Sequence, residues 1–333
     1  MQNNNLRSKS SLLKKLLLVN VVLSCIFSGA VMAQSNYPNR TIQITMPLQA
    51  GSAVDVLMRP FAQKISESLG QPLIIENITG GAGLIGANKV AQATPDGYVI
   101  GAFNDSILNM VPNLYKKVDY DPLTSFTGIS QIAGITFVLV ANPNFKPNTI
   151  KQLVEYAKAN PGKLDYASGG NGSPQHIGME MLRQMTGAPL VHIPYKGAAA
   201  PVTDVMAGQV PIMISALAVV LPHIKAGKLK AIAITSSKRS QLLPDVPTVA
   251  ETVPGYELMA WAALVAPKGT PNEVVNKIND AITQVLKDPK VKEQIIAQGF
   301  ELVPTGQAAF NKANKDGFYR MRKIIKDGGI SLD

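Results

Sequence analysis

Four glycine-rich turns, each set between a short apolar run and a segment of helical periodicity, constrain this chain more than any other feature. They are "LQAGSAVD" (48–55), "ITGGAGLIG" (78–86), "SGGNGSPQH" (168–176) and "YKGAAAPVTD" (195–204). Before the first, "TIQITMP" alternates Ile42, Ile44 and Met46 with polar residues, the two-residue period of a strand. After it, Val54, Leu57, Met58, Phe61, Ile65 and Leu69 recur at helical spacing. Repetition of strand, turn and helix predicts an α/β fold of sheets flanked by helices. In open α/β sheets such turns lie at the carboxyl ends of strands, where ligands bind.

Further strands are expected at "PLIIE", "YVIGAF", "LDYAS", "LVHI", "VPIMI" and "LKAIAIT", with a second set beginning near "ITFVLVANP". Helices are expected from about 84, from about 106, and over 149–159, 174–185, 199–207 and 218–226. One compact sheet does not comfortably hold so many units at 333 residues, so two domains are expected. A tail from 258 adds the strand-like "LMAWAALVAP" and two or three helices, of which "EVVNKINDAITQVL" is the clearest. The expected division is residues 34–135 plus 258–333 in lobe 1 and 136–257 in lobe 2. The chain then crosses between lobes twice, with hinge strands near 129–138 and 257–263.

Residues 1–33 read as a secretory signal peptide: Arg7, Lys9, Lys14 and Lys15 precede the short apolar run "LLLVNVVLSCIF", and small residues lead to a cleavage point near Ala33. The run falls short of the roughly 20 apolar residues of a spanning helix. Acylation at Cys25 is the weaker reading, because Leu23-Ser24 departs from the usual small-residue lipobox. Cys25 is the one cysteine, so the mature chain has no disulfide, thiol nucleophile or cysteine metal site. Cleavage removes four of 32 basic residues and none of 22 acidic ones, taking the formal charge from +10 to +6. That balance suits anionic ligands and is too diffuse for nucleic acid.

Gly81 to Gly86 also fit the dinucleotide fingerprint G-x-G-x-x-G, with Asp105 about 20 residues on. Against NAD stand the export signal and the presence of four such turns where a dinucleotide needs one. No G-x-S-x-G elbow, H-E-x-x-H or P-loop occurs, and three separated histidines give no metal-ligand spacing. The turns themselves offer backbone N–H groups and the positive ends of helices, which favour an anion. Ser173 suits an N-cap before Pro174, with Ile177, Met181, Leu182 and Met185 as the buried stripe; as a cap it need not touch a ligand. His176, in the first helical turn, is expected to be neutral and to bond either a ligand or a neighbouring loop. Asp55 and Asp204 are assigned to positioning loops or to binding an amino group, beside the plainer reading of helix-end or surface carboxylates.

The ordered segments "GSAVDVLMRPFAQKISESLGQPLIIENITGGAGLIGA", "ATPDGY", "NLYKKVDYDP", "SGGNGSPQHIGMEM", "IPYKGAAAPVTDVMAGQV" and "LPHIKAGKLKAIAITSSKRSQLLPDVPTVAE" resemble the Bug family over essentially the whole mature chain. These are the periplasmic solute receptors of tripartite tricarboxylate transporters. The resemblance implies a monomeric, two-lobed Venus-flytrap protein of the periplasm, with each lobe a sheet flanked by helices and the ligand in the interlobe cleft. It implies no enzyme activity, no cofactor and no metal. The lobes would close over a small carboxylated solute, whether a di- or tricarboxylate, an amino acid or an aromatic acid, and present it to a membrane permease. Matched motif by motif, lobe 1 would contact the solute through Ala50, Gly51, Ser52, Ala82 and Gly83. Lobe 2 would do so through Ser168, Gly170, Asn171, Ser173, His176, Lys196, Gly197 and Ala198.

Two places depart from the family pattern. The first turn has Gln49 and Ala50 where relatives usually carry a proline and a second glycine. Asn104-Asp105-Ser106 stands where small residues or threonine are common, and Asp105 is expected either to read a ligand amine or to cap a helix. A signalling receptor built on the same fold is the alternative function, since only the partner would differ.

Overall fold

The computed structural model describes residues 37–303 and 306–330; the expected signal peptide and its cleavage point lie outside them. Strand β1 (Ile42–Met46) leads to α1 (Ala53–Leu69), β2 (Leu73–Asn77), α2 (Leu84–Ala91) and β3 (Val99–Asn104). Helix α1 starts at Ser52, whose Oγ accepts the Asp55 N–H, and stops at Gly70, whose φ of 67° suits glycine. Its Val54, Leu57, Met58, Phe61 and Ile65 are buried, as their spacing predicts.

After β3 the chain makes a π-helical turn (Ser106–Met110) and a short helix, α3 (Val111–Leu114), in place of the single helix expected from about 106. Strand β4 then runs unbroken for 16 residues, Phe126–Ala141. "ITFVLVANP" is therefore the second half of one strand and does not start a new one. From Gly128 to Ala141 every residue of β4 is buried, because helices cover this central strand and the period-two alternation of a half-exposed strand is lost.

The chain continues through α4 (Ile150–Ala159), β5 (Leu164–Ser168), α5 (Pro174–Thr186), β6 (Leu190–Pro194), α6 (Ala199–Ala207), β7 (Ile212–Ala216), α7 (Leu217–Lys225) and β8 (Lys230–Ile234). Strand β9 (Met259–Pro267), α8 (Asn272–Lys287), α9 (Pro289–Ala297), β10 (Phe300–Glu301) and α10 (Gln307–Asp327) complete it. Helix α5 has the Ser173 cap, Pro174 at its start and Gly187 at its end, but Met185 is exposed and leaves the buried stripe at Leu182.

Strand order is β2-β1-β3-β9-β4-β7-β5-β6, with β8 and β10 also paired to β4. Strand β4 belongs to both halves. It is antiparallel to β9 as far as Thr136↔Met259, then pairs with β7 from Phe137↔Ala216 and with β8 from Val138↔Ile234. One apolar core gathers Ala87, Phe103, Ile107, Leu108, Val265 and Phe310. Another gathers Val138, Val140, Val202, Met213, Leu217 and Val220. Two α/β lobes thus each have a core of their own, the arrangement of periplasmic binding proteins.

Thr235 joins the two crossings. Its N–H donates to Phe137 O (3.0 Å), and it accepts the Leu258 N–H (2.9 Å). Its hydroxyl lies within reach of Phe137 O (3.0 Å) and Leu258 O (2.8 Å).

Candidate functional site

All four glycine-rich turns open onto one cavity of about 500 Å³. Lobe 1 lines it with Pro47–Gln49 and Ser52–Val54, then Thr79–Gly83, then Asn104, Ser106 and Tyr115. Lobe 2 lines it with Gly169–Gln175, Pro194–Ala198, Ala216 and Val219, while Ile135 and Phe137 of the shared strand β4 add apolar surface. The turns follow β1, β2, β5 and β6, so the cavity sits at the carboxyl ends of strands, where such sheets take ligands.

Nine of the residues expected from the sequence line this cavity: Ser52, Ala82, Gly83, Gly170, Asn171, Ser173, Lys196, Gly197 and Ala198. Ala50, Gly51, Ser168, His176 and Asp105 do not. Gly51 holds the first turn in place, its N–H donating to Asp55 Oδ2 at 3.0 Å. Asp55 in turn receives both the Nε (2.9 Å) and an Nη (2.8 Å) of Arg59, and Asn77 Nδ2 at 3.1 Å. The same Asn77 nitrogen reaches Leu48 O at 2.9 Å. Burial alone would raise the Asp55 pKa, but bonds from Arg59, Gly51 and Asn77 outweigh it and hold the carboxyl below its ordinary range. Asp55 therefore works as the expected loop-positioning carboxylate and stays out of the cavity.

The second turn is the most unusual piece of backbone. Gly80, Gly81, Ala82 and Gly83 have φ of 115°, 55°, 55° and 95° in succession, and Ala82 is the one non-glycine residue at positive φ among the described residues. A side chain at Gly83 has no room: a Cβ there would fall 2.3 Å from Ile107 Cδ1 and 3.1 Å from Pro47 O. Gly86, the third glycine of the dinucleotide pattern, serves packing, since a Cβ there would fall 2.5 Å from Ile78 O.

In lobe 2, Ser168 and His176 support the third turn from behind. Ser168 Oγ lies 2.6 Å from His192 Nε2 and accepts the Gly170 N–H at 3.1 Å. His176 Nδ1 accepts the Gly172 N–H at 3.2 Å, and its ring stacks on His192 with centroids 4.2 Å apart. His192 stacks in turn on Tyr166 at 4.9 Å, and the Tyr166 hydroxyl donates to Glu180 at 2.8 Å. Burial lowers the pKa of His176 and carries that of His192 down to about 3, with His176 adding to the latter. The neutral His176 thus bonds the Gly172 N–H of its own turn, in place of the ligand or neighbouring loop expected. In the fourth turn, Tyr195 borders the cavity and donates to Asp204 at 2.6 Å; burial, then Asp204, pushes its pKa up to about 12.

Asp105 requires a correction. It faces away from the cleft and lines a separate cavity of about 210 Å³ with Asn109, Trp261 and Arg320. It makes no side-chain capping bond, and its Oδ1 has no partner. Burial raises its pKa to about 7 although the Arg320 charge opposes this. Its carboxyl thus lies off the cleft lining, where the ligand amine was expected, and makes no capping bond to the turn that follows.

Among the described residues lining the cleft, Lys196 is the one ionised side chain and none is acidic. Serine side chains cap α1 and α5, but α2 and α6 begin at Gly83 and Ala198 without a side-chain cap. The turns before both starts, Thr79–Gly83 and Pro194–Ala198, line the cavity, and a positive helix end lies behind each; the Gly83 and Leu84 N–H groups are taken by Gly80 O and Gly81 O. Sequence reasoning missed Gln49, Thr79, Asn104, Ser106, Tyr115, Gln175, Tyr195 and the apolar floor. Tyr195 and Gln175 sit inside turns already singled out, whereas Ile135 and Phe137 carry the same apolar signal as any core strand. Among the described residues no group of three His, Cys, Asp or Glu could hold a metal, and no helix is long and apolar enough to cross a membrane.

Residues 57–330 match the model of the "Tripartite tricarboxylate transporter family receptor". The chain is 33% identical to protein BugT of Bordetella pertussis over 319 residues, covering 95% of this chain and 98% of that protein. A protein of R. palustris solved with adipate is 31% identical with a TM-score of 0.86, covering 89% of this chain and 99% of that one. MatC from Rhodopseudomonas palustris, solved with bound malate, is 27% identical with a TM-score of 0.83, covering 87% and 100%.

Proposed function

This chain belongs to the tripartite tricarboxylate transporter receptor family, whose members are solute-binding receptors and not enzymes, and we propose that it carries a small carboxylated solute between its lobes to a transporter permease. The observation that carries this reading is the make-up of the cleft: glycine-rich turns at two helix starts that have no side-chain cap, one lysine and no acid. Such a surface stabilises an anion through hydrogen bonds from fixed amides, and it releases the anion more readily than a buried arginine clamp would. The adipate and malate bound to the two R. palustris proteins support a carboxylate here. The chain acts as an exported monomer in the periplasm. Its bodies are 34–135 with 258–333 and 136–257, and they close by rotation about Thr136–Phe137 and the Thr235–Leu258 link.

The test is a thermal-shift screen of the mature protein, unfolded and refolded to strip carried solute. The panel holds mono-, di- and tricarboxylates, acidic amino acids and NAD. A solute at about 100 times its Kd adds roughly 2.7 kcal/mol to the folded state, so a carboxylate hit is expected to be plain. Stabilisation by NAD with silence across the carboxylates would overturn the reading.

A further inference from the structure

Gln49 reaches from the first turn of lobe 1 directly over the α-carbon of Gly197 in lobe 2. A Cβ built on Gly197 would fall 1.9 Å from Gln49 Oε1 and 2.3 Å from its Cδ. The φ of Gly197 is +104°, and its N–H is already given to Gly169 O at 3.0 Å. Beside this contact the lobes nearly touch again, since a Cβ on Gly51 would lie 3.7 Å from that of Ala199. Gln49 borders the cavity, and one residue before its seat is Lys196, the one ionised side chain of the lining.

The Gln49 amide makes no hydrogen bond to the protein among the described residues. An amide offers an acceptor oxygen and two N–H donors. With the oxygen packed on the glycine Cα–H, the donors remain for the cavity. The Lys196 ammonium, on the residue before Gly197, adds a charged donor to the same lining. The Gly80–Gly83 turn is a second donor seat, and Ile135 and Phe137 supply apolar surface. Two donor seats and an apolar wall fit a molecule with a carboxylate at each end. A ligand ammonium would find no carboxylate to meet.

We propose that Gln49 is a specificity-determining residue that, with Lys196, reads the second carboxylate of a dicarboxylate and ties that reading to closure through its contact with Gly197. This rests on the carboxylate reading of the cleft. The experiment is isothermal titration of the ligand-stripped mature protein with matched pairs: succinate against butyrate, and adipate against hexanoate. In at least one pair the dicarboxylate is expected to bind more than about tenfold tighter, the scale of a charge-assisted contact. Gln49→Gly should weaken that dicarboxylate about tenfold and leave its monocarboxylate unchanged. Gln49→Glu should weaken it about a hundredfold, because a like charge then faces the second carboxylate. Each ligand-free variant should still unfold in one cooperative transition, since the amide makes no hydrogen bond within the protein and the contact with Gly197 is a small one. Equal binding within each pair, or Gln49→Glu binding dicarboxylates as wild type does, overturns this inference and leaves the carboxylate reading standing. Failure of every carboxylate to bind wild type, in this titration and in the screen above, overturns both.

Discussion

A methyl group at position 83 has nowhere to go. Gly83 combines a φ of +95° with the Ile107 side chain and the Pro47 carbonyl where a Cβ would sit. Gly83→Ala is expected to cost about 1–3 kcal/mol in urea unfolding and to weaken carboxylate binding by distorting the donor turn. Asp105 makes the opposite kind of prediction. Its folded pKa, about 7, lies above the ordinary carboxyl value of 3.8. The stability of the neutral acid is therefore fully present below about pH 4 and is lost as pH rises through 7. A shift of three units corresponds to about 4 kcal/mol. Asp105→Asn should gain stability relative to wild type between pH 4 and 8 in parallel denaturation curves. Because Asp105 lies outside the cleft, the substitution should leave the ratio of amino-acid to dicarboxylate affinity unchanged; a changed ratio would show that Asp105 reaches the ligand.

The elements that shape lobe 2 meet in a stack of three rings, Tyr166, His192 and His176, joining β5, β6 and α5 behind the third turn. Both imidazoles are neutral because burial disfavours their charge. Their folded pKa values lie below the ordinary 6.5, so the unfolded chain takes up protons first. For His192 stability is full above about pH 6.5 and falls as pH drops towards 3, by up to about 1.4 kcal/mol per pH unit, and His176 adds to the loss in the same direction. In His192→Phe the stack is kept and one titrating group removed, so the loss between pH 6 and 4 should be shallower than in wild type. An unchanged slope in denaturant titrations would mean that His192 protonates freely in the folded chain. The positions of Ser173 and His176 on a capped helix start are legible in "NGSPQH". His192, on which the His176 ring stacks and which lies 16 residues beyond it, is not, because only strand pairing of β5 with β6 brings it alongside.

At the scale of the whole molecule, the proposed closure requires that solute touching both lobes bind the closed form better and draw the hinge equilibrium towards it. X-ray scattering of the stripped protein should show a smaller radius of gyration with saturating carboxylate; no compaction would sink the two-body account. Thr235 is where closure and stability meet, since its hydroxyl serves Phe137 O and Leu258 O at the two crossings. Thr235→Val keeps the shape but takes the hydroxyl proton from Leu258 O, the nearer of its two acceptors, at a cost of about 1–3 kcal/mol, while Phe137 O keeps the Thr235 N–H. The variant should also alter how much of the stripped protein is already closed.

Local pattern by itself was enough for the alternation of strands and helices, the four glycine turns and the cap at Ser173. Each of these depends on neighbours within a turn or two. Three other features were decided only by tertiary structure. Asp105 sits one residue from cleft-lining Asn104 and Ser106, yet its side chain points the other way, because the π-helical turn places successive residues on different sides. The two halves of β4 form one strand, because lobe pairing changes partner along it without breaking it. Gln49 meets Gly197 across 148 residues of sequence, because only the packing of the two lobes brings a side chain of one over the bare backbone of the other.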